Sequence, residues 1–159
     1  MVYAIKLVLK EGTTFDLYFL DGTVKRYDIL RLAKKYPQLN ALKDRNLFLK
    51  GKLPDWSGVE WNDELDIDSQ SVYECGTDVT NEYNDIDIVV IGYKIKLRRL
   101  ELFMSQEDLA NKVGIDQSDL SKIEKGNANP SLKTLLRISK GLDSNFLVTF
   151  EKKNKNYAF

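Results

Sequence analysis

The chain contains no histidine and a single cysteine, Cys75, among its 159 residues. Zinc sites of the usual Cys/His type are therefore excluded, and no serine or cysteine nucleophile has an imidazole base to activate it. One cysteine cannot close an internal disulfide. No apolar run approaches the ~20 residues needed to span a bilayer. The opening stretch, MVYAIKLVLKEGTTFDLYF, lacks the ordered basic, apolar and small-residue regions of a secretory signal. A cytoplasmic protein with no cofactor and no metal is expected, and no enzyme.

What is present is ordinary globular material, 43% hydrophobic and 30% charged, enough for one large domain or two small ones. The formal net charge of +0 hides an asymmetry. Up to Asp87, Lys and Arg number 11 against 16 Asp and Glu, a balance of −5; from Ile88 onward they number 13 against 8, a balance of +5. An acidic half is joined to a basic one, and the second is expected to face a polyanion, because Lys and Arg neutralise phosphates.

The pattern changes with the charge. Residues 3–10, 14–20 and 23–29 are rich in aromatic and β-branched side chains and read as strands, with Asp21-Gly22 as a tight primed hairpin turn. LRLAKKY reads as a short helix stopped before Pro37, LNALKD as a further helical turn, and LFLKGKLP with GVEWN as a second strand pair. DIDSQSVYECG reads as a turn into a helix ended by Gly76. An α+β domain over 1–78 follows, then a polar linker at 79–86.

From 87 to 151 the period is helical. Ile91, Ile95 and Leu102 share one helix face, while Lys94, Lys96, Arg98 and Arg99 are distributed around the rest as an ordinary charged surface. Ser105 with Asp108 three residues on forms a capping box for a second helix whose inner face is Leu109, Ala110 and Val113. Gly114 supplies a left-handed turn, and Asp116 is placed to cap a third helix that buries Leu120 and Ile123. Ser131 caps a fourth, with Leu132, Leu135, Leu136 and Ile138 inward and Gly141 as its stop. NFLVTFEKK alternates like a terminal strand, and 152–159 is a tail. Taken alone, QEDLANKVGIDQSDLSKIEKG reads either as a helix pair that meets DNA or as a corner of a helical core.

The stretch from Ile91 to about Leu142 resembles the lambda-repressor-like, Cro/C1-type (XRE) helix-turn-helix family. Gln106, Ala110, Gly114, Ile123, Glu124, Gly126, Asn129-Pro130-Ser131 and Leu135-Leu136 stand at the family's pattern positions. Phe103 stands where members commonly carry glycine. The resemblance implies an all-α bundle of four or five helices whose third enters the major groove of duplex DNA, and a regulator of transcription. One such unit covers limited DNA surface, so a homodimer meeting half-sites roughly 34 Å apart is expected.

Side-chain chemistry nominates the contacts. The planar amide of Gln117 offers a donor and an acceptor that match N6 and N7 of adenine, and its place at the start of the third helix matches the family's base-contacting position. Ser118, Ser121 and Lys122 are the other candidate base readers. Gln106 resembles the family residue that holds phosphate and braces the reading glutamine; Lys125, Asn127 and Lys94 are further phosphate candidates. Each of these side chains also has an alternative as plain solvated surface.

Residues 5 to about 75 resemble a small bacterial α+β domain of unknown function, through Trp61, Asp66, Val72, Tyr73 and Glu74. Some members lie in operons like those of toxins and antitoxins. Two roles thus stand for this half: dimerisation within a bacterial-type repressor, or capture of a protein partner by an antitoxin-like chain that regulates its own operon. Glu60, Asp63, Glu64, Asp66 and Asp68 are crowded, but an acidic loop beside a strand reads as solvated surface rather than an acid/base pair. Trp56 and Trp61 read as packing groups.

Overall fold

The computed structural model describes residues 2–148. Three strands, β1 (Ala4–Leu9), β2 (Thr14–Phe19) and β3 (Val24–Asp28), form an antiparallel meander. The β2–β3 connection is looser than a two-residue primed turn. Gly22 has φ 89° but Asp21 does not join it in positive φ; instead the Asp21 carboxylate accepts from the Thr23 N–H at 2.9 Å.

Both faces of this sheet are apolar. Phe15, Leu17, Phe19 and Tyr27 point to one side, Tyr18 and Val24 to the other. The β1 register against β2 shifts between Ala4 and Lys6, and that extra residue leaves Ile5, Lys6 and Val8 all on the Tyr18 side.

The Phe15 side is covered by two 3-10 segments, Ile29–Leu32 and Pro37–Lys43, the single turn α1 (Arg45–Phe48), the hairpin β4 (Gly58–Asn62) and β5 (Leu65–Asp68), and α2 (Ser69–Cys75). Trp61 is buried there and donates from Nε1 to the Phe48 carbonyl at 2.9 Å. Trp56 instead lies at the surface against Tyr3, ring centroids 5.0 Å apart. LFLKGKLP is not a strand: Asp44 accepts from the Asn46 N–H at 2.9 Å and draws Leu47 and Phe48 into α1, leaving only Lys52 to bridge Glu60. The partner of GVEWN is β5, in which Leu65 and Ile67 are buried while Asp66 and Asp68 face solvent. That alternation has the period of two a strand requires.

The Tyr18 side is covered by the segment expected to be a linker. A two-residue strand, β6 (Thr77–Asp78), pairs with β3, giving the order β1-β2-β3-β6. Val79 is buried, Thr80 accepts through its hydroxyl from the Val24 N–H at 3.0 Å, and Arg26 donates to Glu82 at 2.8 Å. The Tyr83 hydroxyl donates to Asp16, and Lys6 pairs with Asp85 at 3.4 Å. Polar composition suggested a solvated connection; here the polar groups are spent on the sheet.

Helix α3 (Ile86–Glu101) begins on that same surface, burying Ile86 and Val89 against Tyr18 and Val24. Farther along it joins α4 (Gln106–Val113), α5 (Gln117–Glu124) and α6 (Leu132–Gly141) around a second core of Ile95, Leu109, Ala110, Val113, Leu120, Ile123, Leu135, Ile138 and Leu142. Gly92 permits the α3–α5 approach, since a Cβ there would lie 2.1 Å from the Ile123 carbonyl oxygen. Leu132 and Leu136, expected inside, are 58% and 44% exposed. Gly141 is the last residue of α6 rather than its cap, which is Leu142. Residues 145–148, expected to open a terminal strand, carry no regular structure; the rest of that stretch and the tail lie outside the described residues. Among the described residues no helix is long and apolar enough to cross a membrane.

Candidate nucleic-acid interface

The site is built from two helix starts held together by one buried ion pair. Ser105 caps α4 in a full capping box, its hydroxyl accepting from the Asp108 N–H at 3.0 Å while Asp108 accepts from the Ser105 N–H at 2.8 Å. Helix α4 ends at Gly114 with φ 65°, a left-handed conformation that would strain a residue bearing a Cβ. The Arg137 guanidinium, from α6, donates to the carbonyls of Val113 and Gly114 and so closes the end of α4. Asp116 occupies the N-cap position of α5, but its side chain makes no capping hydrogen bond.

This geometry sets Gln106 and Gln117, the first residues of α4 and α5, side by side: the Gln117 Nε2 donates to the Gln106 Oε1 at 2.8 Å. Gln106 in turn donates from Nε2 to the Glu124 Oε2 at 2.8 Å. Glu124, its side chain 2% exposed, receives both Arg99 Nε at 2.6 Å and Nη2 at 2.9 Å, and Arg99 is anchored by donation to the Met104 carbonyl at 2.7 Å. A relay thus runs from the interior outward: Arg99, Glu124, Gln106, Gln117. The first step is bidentate and the next two are single hydrogen bonds, and each fixes the orientation of the following group. The Gln117 amide keeps its oxygen and one N–H for an outside partner, the pair that bidentate recognition of adenine uses.

Arg99 was expected on a charged surface, and its pairing with Glu124 is invisible in one sequence because the partners lie 25 residues apart. The signal that was available is positional: Arg99 falls seven residues, two helical turns, after Gly92, on the face turned to α5.

The other candidates divide by position. Successive residues turn by about 100°, so Gln117, Ser118, Ser121, Lys122 and Lys125 fall within an arc of roughly 140° opposite Leu120 and Ile123. Gln117, Ser118, Lys122 and Lys125 are exposed and Ser121 is half-buried. Lys122 pairs with Asp119 at 3.1 Å, both well exposed. Asn127 is exposed just beyond Gly126. Lys94 is not part of the group. It lies about 200° around α3 from Gly92 and lines surfaces beside Tyr3 and Asp21, or beside Leu135 and Phe146, away from α5. Besides the buried Arg99, α3 brings Lys96, which is exposed, to the groove that Gln106 lines. In the sheet half, Asp68 caps α2 by accepting from the Ser71 N–H at 2.7 Å, and Cys75 is exposed. Among the described residues no group of three or more His, Cys, Asp or Glu is placed to hold a metal ion.

Paired short helices joined by a left-handed glycine turn, with an outward amide and a polar arc on the second helix, define a helix-turn-helix unit. Residues 95–147 match the Helix-turn-helix family model. Over 47 residues the chain is 43% identical to an uncharacterized HTH-type transcriptional regulator of Methanocaldococcus jannaschii, covering 30% of this chain and 71% of that protein. Similar solved structures include the restriction-modification controller protein C.AhdI from Aeromonas hydrophila, at 34% identity, 37% of this chain, 89% of that chain and a TM-score of 0.37. The controller protein C.Esp1396I matches at 40% identity, 36% of this chain, 75% of that chain and a TM-score of 0.36. The chain belongs to the helix-turn-helix family of DNA-binding transcriptional regulators.

Proposed function

We propose that the protein is an operator-specific repressor that binds duplex DNA as a homodimer, laying α5 in the major groove. The observation that carries this reading is the relay from the buried Arg99–Glu124 pair through Gln106 to Gln117. It holds one amide at a fixed angle on an exposed surface, an arrangement that folding alone does not need. In this reading Gln117 pairs with an adenine edge, Ser118, Ser121 and Lys122 meet neighbouring bases, and Gln106, Lys125 and Asn127 hold backbone phosphates. Occlusion of a promoter then represses transcription.

The test starts from duplexes selected by the purified chain out of a randomised pool. Gln117→Ala should lose about 1–3 kcal/mol on the selected site and relax preference at one base pair. Lys125→Ala should weaken all sequences alike and lower the salt slope by about 1. Equal losses on selected and random duplexes for Gln117→Ala would remove its role as reader. Dimerisation is favoured by the small span of one such unit, since two copies reach half-sites about 34 Å apart. Leu147 and Val148, 83% and 56% exposed beside the α3–α6 groove, are apolar surface for such a contact. Light scattering on the eluting full chain should give twice the monomer mass at micromolar concentration; a monomer there would end the dimer proposal.

A further inference from the structure

A groove of about 290 Å³ lies where the sheet meets the helical unit, lined by Ile5 and Lys6 of β1, Val89, Tyr93 and Lys96 of α3, Gln106 of α4, and Glu124 and Lys125 at the end of α5. We propose that this groove is a seat for the DNA phosphodiester backbone, built jointly by the two halves of the chain, in which Lys6 supplies a phosphate contact from the acidic half. The inference rests on the DNA-binding reading above and extends it to a part of the chain that the charge balance alone would keep away from DNA.

Three lysines line the groove, and the carboxylate among them, Glu124, is engaged by Arg99. Lys96 and Lys125 have no carboxylate within 4.0 Å among the described residues. Lys6 shares Asp85 at 3.4 Å, a pair whose side chains remain 26% and 44% exposed and so reachable by a competing anion. The register shift in β1 is what puts Lys6 here, on the Tyr18 side of the sheet and toward α3.

Continuity decides in favour of a polymer over a free anion. Two lining residues, Gln106 and Lys125, border the base-reading arc of α5, so a strand followed out of that arc enters the groove that Lys96 and Lys6 also line. Each phosphate neutralised releases counterions and adds to the salt dependence of binding.

The experiment measures affinity of the full chain against salt on a selected duplex with long flanks and on the same duplex trimmed to the bases under α5. Lys6→Gln and Lys96→Gln should each lower the slope of log K against log salt by about 1 on the long duplex and leave binding to the trimmed one unchanged. Asp85→Asn, which removes the partner of Lys6 but not its charge, should keep or steepen the slope. The proposal is overturned if either lysine variant keeps the wild-type slope, or if Asp85→Asn reproduces the loss seen in Lys6→Gln, because Lys6 would then act only by holding Asp85. Lys96→Gln breaks no ion pair, so its readout stands even where Lys6→Gln folds poorly. If the wild-type chain selects no duplex at all, the DNA-binding reading itself falls, an outcome told apart because Gln117→Ala then has nothing to lose.

Discussion

Phe103 stands in the tight connection between α3 and α4 with φ 55° and its side chain 97% exposed. A residue with a Cβ in the left-handed region costs roughly 1–2 kcal/mol, and nothing packed on this ring offsets it. Glycine relieves that strain at an entropic cost of about 0.5–1 kcal/mol. Phe103→Gly should therefore raise unfolding free energy by about 0.5–1 kcal/mol, read as a higher denaturant midpoint with unchanged DNA affinity; an unchanged or lower midpoint would mean the turn is unstrained. At this scale much of the site was legible. Ser105 with Asp108, and Gly114 between two amphipathic runs, are local signals, and their geometry is local too. The outer step of the relay, Gln106 bracing Gln117, is implied by the family resemblance; its buried root, Arg99 on Glu124, is not, because it depends on which charged residue is buried, and charged residues read by default as surface.

Between elements, the Arg99–Glu124 pair ties α3 to α5 with side chains 7% and 2% exposed. Removing one partner of a buried pair leaves an uncompensated charge, at a cost of about 3–5 kcal/mol. Glu124→Ala should lose about that much in chemical denaturation and also weaken operator binding, because Gln106 loses its acceptor. A loss below about 1 kcal/mol would show the pair to be solvated in practice. The strands were harder to read than the helices. Near-continuous apolar runs such as AIKLVL and TFDLYF signal a sheet covered on both faces, yet which segment covers the second face is a long-range matter. The acidic Asp66 and Asp68 disguised β5, although Leu65 and Ile67 already carried its alternation.

Across the whole molecule, the acidic and basic halves are not independent bodies on a string. Asp16, fully buried on the sheet face that meets residues 79–86, accepts two hydrogen bonds from Arg26, at 2.8 and 2.9 Å, and one from Tyr83. Burial alone pushes its carboxyl up, but Arg26, Tyr83 and Lys10 outweigh that and hold it below the usual aspartate value. A depressed folded-state value means the stabilisation is complete above the unfolded aspartate value, near 3.9, and is lost as pH falls through the lower folded one. Wild-type unfolding free energy should drop below about pH 4, and Asp16→Asn should flatten that acid limb while lowering stability at neutral pH. An equally steep limb in Asp16→Asn would assign it to other carboxylates. The charge balance along the chain does not reveal this arrangement, because Lys6 and Lys10 lie on the sheet face covered by residues 79–86 and the start of α3, where their partners are Asp85 and Asp16.

Helix α3 is one uninterrupted run from Ile86, seated on the sheet, to Glu101, beyond the pair that backs α5. Rotation applied to the sheet is therefore transmitted to the reading surface without an intervening joint. A change of angle between the sheet and Gln117 would need α3 itself to bend, or one of the two cores that seat it to repack.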